Sequence, residues 1–492
     1  MVLQAQGKYN IFQMQKRVLA SIFFLGFLLR VVAIDKLPVG FTPDEASFGY
    51  DAYSILKTGK DQWGKPFPLV LESFGDFKSP LYAYLTIPSV GIFGLNKFVV
   101  RLPNAILGTM AVVAIWLLGS KLVNKKVGLI AAVLLAISPW HVMMSRGAFE
   151  ANLITFFVPL GIYLFLEKKY NLSALVFGLT LFTYHSAKLI APVVFVGLLL
   201  IFRFKKLVAI AIFAGFFALM LYTNSLGGGK RIAERSITAG ALEEGAKVKI
   251  ELIQSGMNPI LARALHNKYQ VTAKRFINNY IQYFSFRFLI TKGPAETTYG
   301  MIPGLGVLTY VEMIGLVAFL VHLVIIIHFR SGMWLLIAWL LIAPVPAALA
   351  TGVGYAANRA VAMIPALQIL AAMGIYFLLG KYKKSVYIIA ALGVIGLGIF
   401  LNKYIVESPE KSAKGMLAGN LEIAQELVGK SGNYDNMVVP RSWSEPHIYI
   451  AFAAKYDPLK YQEASGGWKY EEIGVNWVDQ MPEYSLGKFT FK

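Results

Sequence analysis

Phe41-Thr42-Pro43-Asp44-Glu45-Ala46-Ser47-Phe48-Gly49-Tyr50-Asp51 follows closely on the first long apolar run of the chain, 18–34. Two adjacent carboxylates therefore stand where an apolar segment meets water. Acidic side chains at bilayer depth are expensive and tend to mark function. Local chemistry separates the two: Thr42 suits an N-cap, Pro43 the first helical position, and Thr42-x-x-Glu45 forms a capping box. Glu45 is expected mainly to close that box, with substrate contact as a second role. Asp44 lies outside the box and is the candidate for chemistry.

The surrounding composition sets the fold class. Of 492 residues, 57% are hydrophobic and 15% charged, against roughly 25% charged in a soluble domain. Apolar blocks of about 20 residues recur, the length that crosses a bilayer. They predict spans near 18–34, 99–120, 127–140, 149–166, 172–187, 189–203, 207–223, 306–328, 333–350, 359–380 and 385–402. The expectation is an all-α polytopic membrane protein of about eleven transmembrane helices. Its formal charge of +20 comes from Lys and Arg clusters between the blocks, the pattern of the orientation rule rather than of a nucleic-acid surface. The chain has no cysteine, so disulfides and thiolate metal sites are excluded. Lys16-Arg17 ahead of Val18–Leu29 imitates a signal peptide, but Arg30 interrupts and no small-residue cleavage site follows; a retained first span is expected.

Lys121/Lys125/Lys126, Lys168/Lys169, Arg203/Lys205/Lys206, Arg330 and Lys381/Lys383/Lys384 all fall on the same side as Lys16-Arg17 in this count. That side is expected to be cytoplasmic, which makes the chain a multi-pass protein of the cell membrane. Segments 35–98, 224–305 and 403–492 then share the external side. The division is a transmembrane domain, 1–402, and a small external α/β domain, 403–492, with a helical stretch from Ser408 to about Val428 and a strand at Met437-Val438-Val439. Within the first loop, 43–57 reads as an amphipathic helix lying along the membrane, ended by Thr58-Gly59, and Leu81–Phe93 as a second interfacial piece. Gly227-Gly228-Gly229-Lys230 lacks phosphate-loop spacing and reads as a flexible exit from a span.

Ionisable groups recur at the external span ends: Asp44, Glu45, Lys78, Arg101, Arg146, Glu150, His185, Lys188 and Arg359. Transferring a group from a lipid phosphate needs cations to hold the phosphate and a base to take a proton from the acceptor hydroxyl. One carboxylate suffices, because phosphate leaves unprotonated. Bland readings stand beside this one. Arg146 and Glu150, four apart, can simply pair on one helix, Arg101 is equally a structural anchor, and His185 beside Tyr184 suits an interfacial hydrogen bond. His328 lies at the opposite, cytoplasmic end. No His-x-x-x-His or Asp-x-Asp occurs; a divalent cation, if one binds, falls to Asp44 and Glu150.

Pro43-Asp44-Glu45, Lys78-Ser79-Pro80-Leu81, Arg101-Leu102-Pro103-Asn104-Ala105, Ser138-Pro139-Trp140 and Ser145-Arg146…Glu150 occur in an order that resembles polyprenyl-phosphate-dependent glycosyltransferases of the GT-C membrane class. The chain is similar in particular to glycosyltransferase family 39 and its bacterial aminoarabinose-transferase relatives, best over 16–190 and again near Tyr283–Gly306 and Asn358-Arg359…Pro365. The resemblance implies that Asp44 is the catalytic carboxylate, that Glu150 stands where the family has a second acid, commonly aspartate, and that Lys78 and Arg146 lie near the donor phosphate. Charge placement adds Lys188, Arg359 and Arg101 as phosphate contacts, and Tyr184, His185 and Glu45 as substrate contacts.

The expected activity is inverting transfer of a sugar from an undecaprenyl- or dolichyl-type phosphate to a protein, lipid or glycan acceptor on the external face. The rival reading is a transporter or flippase of a lipid-linked solute, which would place its site near the midplane between repeated halves. A third makes 403–492 the working part; its deletion from a transferase built on the first loop is expected to spare donor hydrolysis.

Overall fold

Thr42 and Gly59 bracket the helix that carries the two carboxylates. Thr42 Oγ1 accepts from the Glu45 amide at 3.3 Å, and the Glu45 side chain accepts from the Thr42 amide at 3.0 Å, closing the capping box. Gly59, at φ 71°, takes the left-handed turn that ends the helix, its amide bonded to the Ile55 carbonyl. This computed structural model describes residues 2–203, 206–228, 236–294, 297–325, 331–351, 356–440 and 442–492. The readings of Lys205, Gly229-Lys230, His328 and Arg330 lie outside the described residues.

Helices occupy each of the apolar blocks: Val2–Val31, Lys97–Leu122, Lys125–Ile137, Ile154–Leu166, Tyr170–Thr180, Ala187–Ile201, Leu207–Thr223, Tyr310–Ile325, Ser331–Ile342, Ile364–Lys381 and Ser385–Asn402. Among the described residues, four helices are long and apolar enough to cross a membrane alone, and a bent pair, Lys125–Ile137 with Pro139–Ser145, makes a fifth candidate. The 59° bend falls at Ser138-Pro139, where proline lacks the amide that would continue the ladder. Their buried faces form one core containing Trp140, Phe177, Phe195 and Trp339.

The polar segments assemble differently from the sequence expectation. The Pro43–Thr58 helix does not lie open along a membrane surface; it is buried from Glu45 to Asp51 and again at Ala52, Ser54 and Ile55. Residues 421–491 cover it, and the two segments share one hydrophobic core that includes Phe41, Phe48, Tyr50, Tyr449, Tyr461 and Phe491. Tyr449 donates to the Phe41 carbonyl at 2.6 Å and Tyr50 to the Tyr456 carbonyl at 2.9 Å. Gly49 is required here: a Cβ would stand 2.5 Å from Val100 and 2.8 Å from Phe452. Amphipathic patterning reports the apolar face of a helix but not what covers the other.

Within 403–492, the stretch read as one helix is two, Ser408–Lys411 and Asn420–Lys430. Leu417 at φ 49° and Gly419 at φ 99° break it. The Met437–Val439 strand is present, parallel to Phe489–Phe491, which also pairs antiparallel with Tyr484–Leu486. The 224–305 excursion carries helices Ala241–Gln254, Pro259–Leu265 and Lys268–Gln282.

The shared core bears on the expectation that deleting 403–492 spares donor hydrolysis, because that segment covers the helix bearing Asp44. A chain ending at 402 is expected to leave the Pro43–Thr58 helix uncovered, so that limited proteolysis cuts within 41–80; resistance there equal to the full chain would contradict the shared core.

Candidate active site at the start of the Pro43–Thr58 helix

Asp44 and Glu45 are neighbours with opposite surroundings. The Glu45 side chain is fully buried and forms a forked ion pair with Arg101, 2.8 Å to Nε and 3.1 Å to Nη2. Glu45 also accepts from the Ala148 amide at 3.0 Å. The remaining Arg101 donors go to the carbonyls of Ile34, Pro38 and Gly40. Of the two readings open for Arg101, the geometry is that of an anchor, with the donors consumed and none turned to solvent.

Asp44, in contrast, keeps its side chain 45% exposed and stands 2.6 Å from Lys78 Nζ, which is itself 3% exposed. Lys78 comes from a two-residue strand, Phe77–Lys78, paired antiparallel with Leu71–Glu72. Its ammonium lies 5.0 Å from the ring centres of both Phe48 and Phe74. The cation is held between two rings, and the carboxylate reaches outward from it to solvent.

Arg146 is bound to the exit of the first span. It donates to the carbonyls of Leu29, Val32, Ala33 and Leu37 and packs over Tyr404, as a cation at a helix C-terminus does. It does not share a helix with Glu150. The Pro139–Ser145 helix stops at Arg146, and Glu150 opens a separate turn, Glu150–Leu153.

Tyr184, His185, Lys188 and Arg359 come together: they line one cavity of about 430 Å³ with Asn224, Phe217, Leu221, Leu349 and Tyr299. Lys188 Nζ donates to Asn224 Oδ1 at 2.8 Å, and Asn358 donates to the Tyr184 hydroxyl at 3.2 Å. Arg359 donates to the Thr351 carbonyl at 3.0 Å. Lys78, Ser79, Pro80 and Phe182 line a second, nearly filled pocket that shares His185 and Lys188 with this cavity. Two cations and several hydrogen-bonding groups thus open onto apolar walls, with Lys78 on the far side of His185 and Lys188.

Several polar groups near the pair had no signature in the sequence. Asp51, two turns after Asp44, is fully buried and accepts from the Gln62 amide at 3.1 Å and from Gln62 Nε2 at 3.3 Å. Burial, then the charge of Asp61, pushes its carboxyl well above the usual range. Asp61 is pushed up to about 6, chiefly by burial. Glu445 and His447 arrive from the C-terminal segment, where a Glu-Pro-His run reads only as a helix start. Among the described residues, no group of three or more His, Asp or Glu is placed to hold a metal ion.

Comparison with known proteins returns a multi-helical membrane fold of the GT-C type. The crystal structure of ArnT from Cupriavidus metallidurans bound to undecaprenyl phosphate is similar with a TM-score of 0.51 at 12% identity, over 92% of this chain and 87% of that one. The Archaeoglobus fulgidus oligosaccharyltransferase in complex with zinc and sulfate is similar with a TM-score of 0.50 at 13% identity. That match covers 89% of this chain but 61% of the oligosaccharyltransferase. At these identities the likeness is one of fold. Residues 77–225 match the family model described as dolichyl-phosphate-mannose-protein mannosyltransferase, in line with the resemblance read from the sequence. No curated protein matches the chain.

Two expectations follow from the site's construction. Arg101→Met strands a buried carboxylate and is expected to cost about 3–5 kcal/mol, read as a lost or strongly lowered thermal transition in detergent; a wild-type transition would show that the pair carries no structural weight. The second concerns pH. Burial holds the His447 imidazole down at about 3, below its ordinary 6.5. A lowered pKa means that stability is present above pH 6.5 and lost as pH falls toward 3. Between pH 6.5 and 5 the wild type is therefore expected to lose about 2 kcal/mol that His447→Gln retains. Equal slopes for the two proteins in pH-dependent unfolding would contradict this.

Proposed function

We propose that the chain is an integral-membrane glycosyltransferase that moves a sugar from a polyprenyl phosphate to an acceptor hydroxyl on the external face, with eleven spans and a cytoplasmic N-terminus. The observation that carries this reading is the half-exposed Asp44 carboxylate paired at 2.6 Å with buried Lys78, beside a cavity that presents Lys188 and Arg359. The ArnT structure similar in fold holds undecaprenyl phosphate. That lipid has the amphiphilic, anionic character such a cavity suits: cations and hydrogen-bond donors for the phosphate, apolar walls for the first isoprene units.

In this mechanism Lys188 and Arg359 hold the donor phosphate and stabilise the charge on the leaving oxygen. Lys78 holds the Asp44 carboxylate in place between turnovers. Asp44 takes the proton of the acceptor hydroxyl as its oxygen attacks the anomeric carbon from the face opposite the phosphate. The bond to the phosphate oxygen breaks, and the anomeric centre inverts. Glu150 is the candidate second carboxylate, and Tyr184 and His185 are candidate contacts to the sugar. Glu45 and Arg101 serve the site by fixing the helix that presents Asp44, and Arg146 by fixing the exit of the first span. If a divalent cation takes part, Asp44 and Glu150 are its candidate ligands; no step here is assigned to it.

Asp44→Asn should fold and express as wild type and lose at least a hundredfold in sugar transfer from a polyprenyl-phosphate donor, followed by release of radiolabelled lipid phosphate. Near-normal turnover would sink the assignment of the base.

A further inference from the structure

Glu445 is the neighbour of the Asp44–Lys78 pair that the mechanism does not use. It stands at the start of the Pro446–Ala454 helix with φ 52° and ψ 55°, a left-handed conformation that a residue with a side chain enters at a cost. The residue is 4% exposed, and its Oε2 is buried with no hydrogen-bond partner among the described residues. Backbone strain and an unsatisfied buried carboxyl at one residue call for an explanation beyond packing.

Its surroundings supply one. His447 Nδ1 is 3.8 Å from Glu445 Oε2 but is turned to the Tyr484 hydroxyl at 3.0 Å, so it does not satisfy the carboxyl. The Phe74 ring packs edge-on to His447 at 5.8 Å and against Lys78 Nζ at 5.0 Å, which sets His447 and Lys78 on one aromatic side chain. Burial first, then the charge of Asp479, pushes the Glu445 carboxyl well above the usual range, while Lys78 pulls it back toward the ionised form. Lys78 offers three donors, and Asp44 is the one carboxylate within ion-pair distance of it among the described residues. A spare buried acceptor and spare buried donors therefore lie within the same few residues.

We propose that Glu445 is a positioning residue for Lys78: the C-terminal segment supplies a second carboxyl that keeps the ammonium in place when Asp44 turns to the acceptor hydroxyl. The proposal rests on Asp44 being the base. At rest Asp44 is engaged by Lys78, yet a base must give up part of that contact to reach a hydroxyl. A buried ammonium that loses its ion-pair partner is costly, and a second buried carboxyl whose charge interacts with it lowers that cost. The chemical step moves one proton from the acceptor to Asp44 and breaks the bond between anomeric carbon and phosphate oxygen; Glu445 exchanges no proton in it. The C-terminal segment thereby belongs to the active site as well as to the core.

The test compares Glu445→Gln, Glu445→Asp and Asp44→Asn in the full-length protein, using synthetic undecaprenyl-phosphate sugars as probes and released undecaprenyl phosphate as the readout. Glu445→Gln keeps the shape and is expected to melt as wild type, with kcat down tenfold or more and the donor KM within twofold; Glu445→Asp should recover part of kcat. Wild-type kcat in Glu445→Gln overturns the proposal. If Glu445→Gln fails to fold, Glu445→Asp decides: reduced kcat at unchanged KM in a folded protein supports positioning, and wild-type kcat overturns it. An inactive Asp44→Asn beside a fully active Glu445→Gln removes only the positioning role, whereas an active Asp44→Asn removes the reaction reading itself.

Discussion

One buried ion pair fixes the geometry on which everything else depends. Arg101 grips Glu45 with two nitrogens and the carbonyls of Ile34, Pro38 and Gly40 with the rest, while Glu45 reaches the Ala148 amide. Four separate pieces of chain meet there: the exit of the first span, the start of the Pro43–Thr58 helix, the Lys97–Leu122 helix and the turn before Glu150. Such a pair is a poor source of net stability, because desolvating both charges offsets much of their attraction. Its value is directional. With Glu45 locked inward, the next residue back on the helix is rotated by about 100°, which turns Asp44 outward to Lys78.

The second constraint is coverage. The C-terminal segment packs on the Pro43–Thr58 helix and on the turn at Gly75, where an added Cβ would run into the Asn476 carbonyl. Aromatic side chains from both segments interleave, Tyr50 on Tyr461 and Phe41 on Phe452, each at 4.9 Å. The first loop is therefore packed into a core it shares with the C-terminal segment. It is half of a two-part body whose other half lies some 400 residues later. Lys78, between the Phe48 and Phe74 rings, is buried inside that body, while Asp44 stays half exposed.

Much of this architecture was legible because its signals are local or periodic. The apolar blocks are set by the thickness of hydrocarbon, so helices stand at each of them. The capping box at Thr42 and Glu45 needs only residues within one turn, and the same device starts a later helix at Thr309 and Glu312. The convergence of Tyr184, His185, Lys188 and Arg359 on one cavity followed from their places at span ends. What could not be read was the partner of each charge. Arg101, Arg146 and Lys188 look alike in sequence, yet the first is consumed by carbonyls and a carboxylate and the second binds carbonyls with both terminal nitrogens, while Lys188 opens onto a cavity. Glu445 and His447 were invisible for the same reason: burial of a charged residue depends on contacts hundreds of positions away, and a Glu-Pro-His run carries no trace of them.

The central claim is that Asp44, steadied by Lys78, faces the anomeric carbon of a sugar whose lipid phosphate lies in the Lys188–Arg359 cavity. An electron cryomicroscopy structure with a non-cleavable polyprenyl-phosphonate sugar bound tests it most directly. The account predicts the phosphonate between Lys188 and Arg359 and the Asp44 carboxylate on the opposite face of the anomeric carbon. A sugar bound elsewhere, or Asp44 turned away from that carbon with its pair to Lys78 intact, would contradict it.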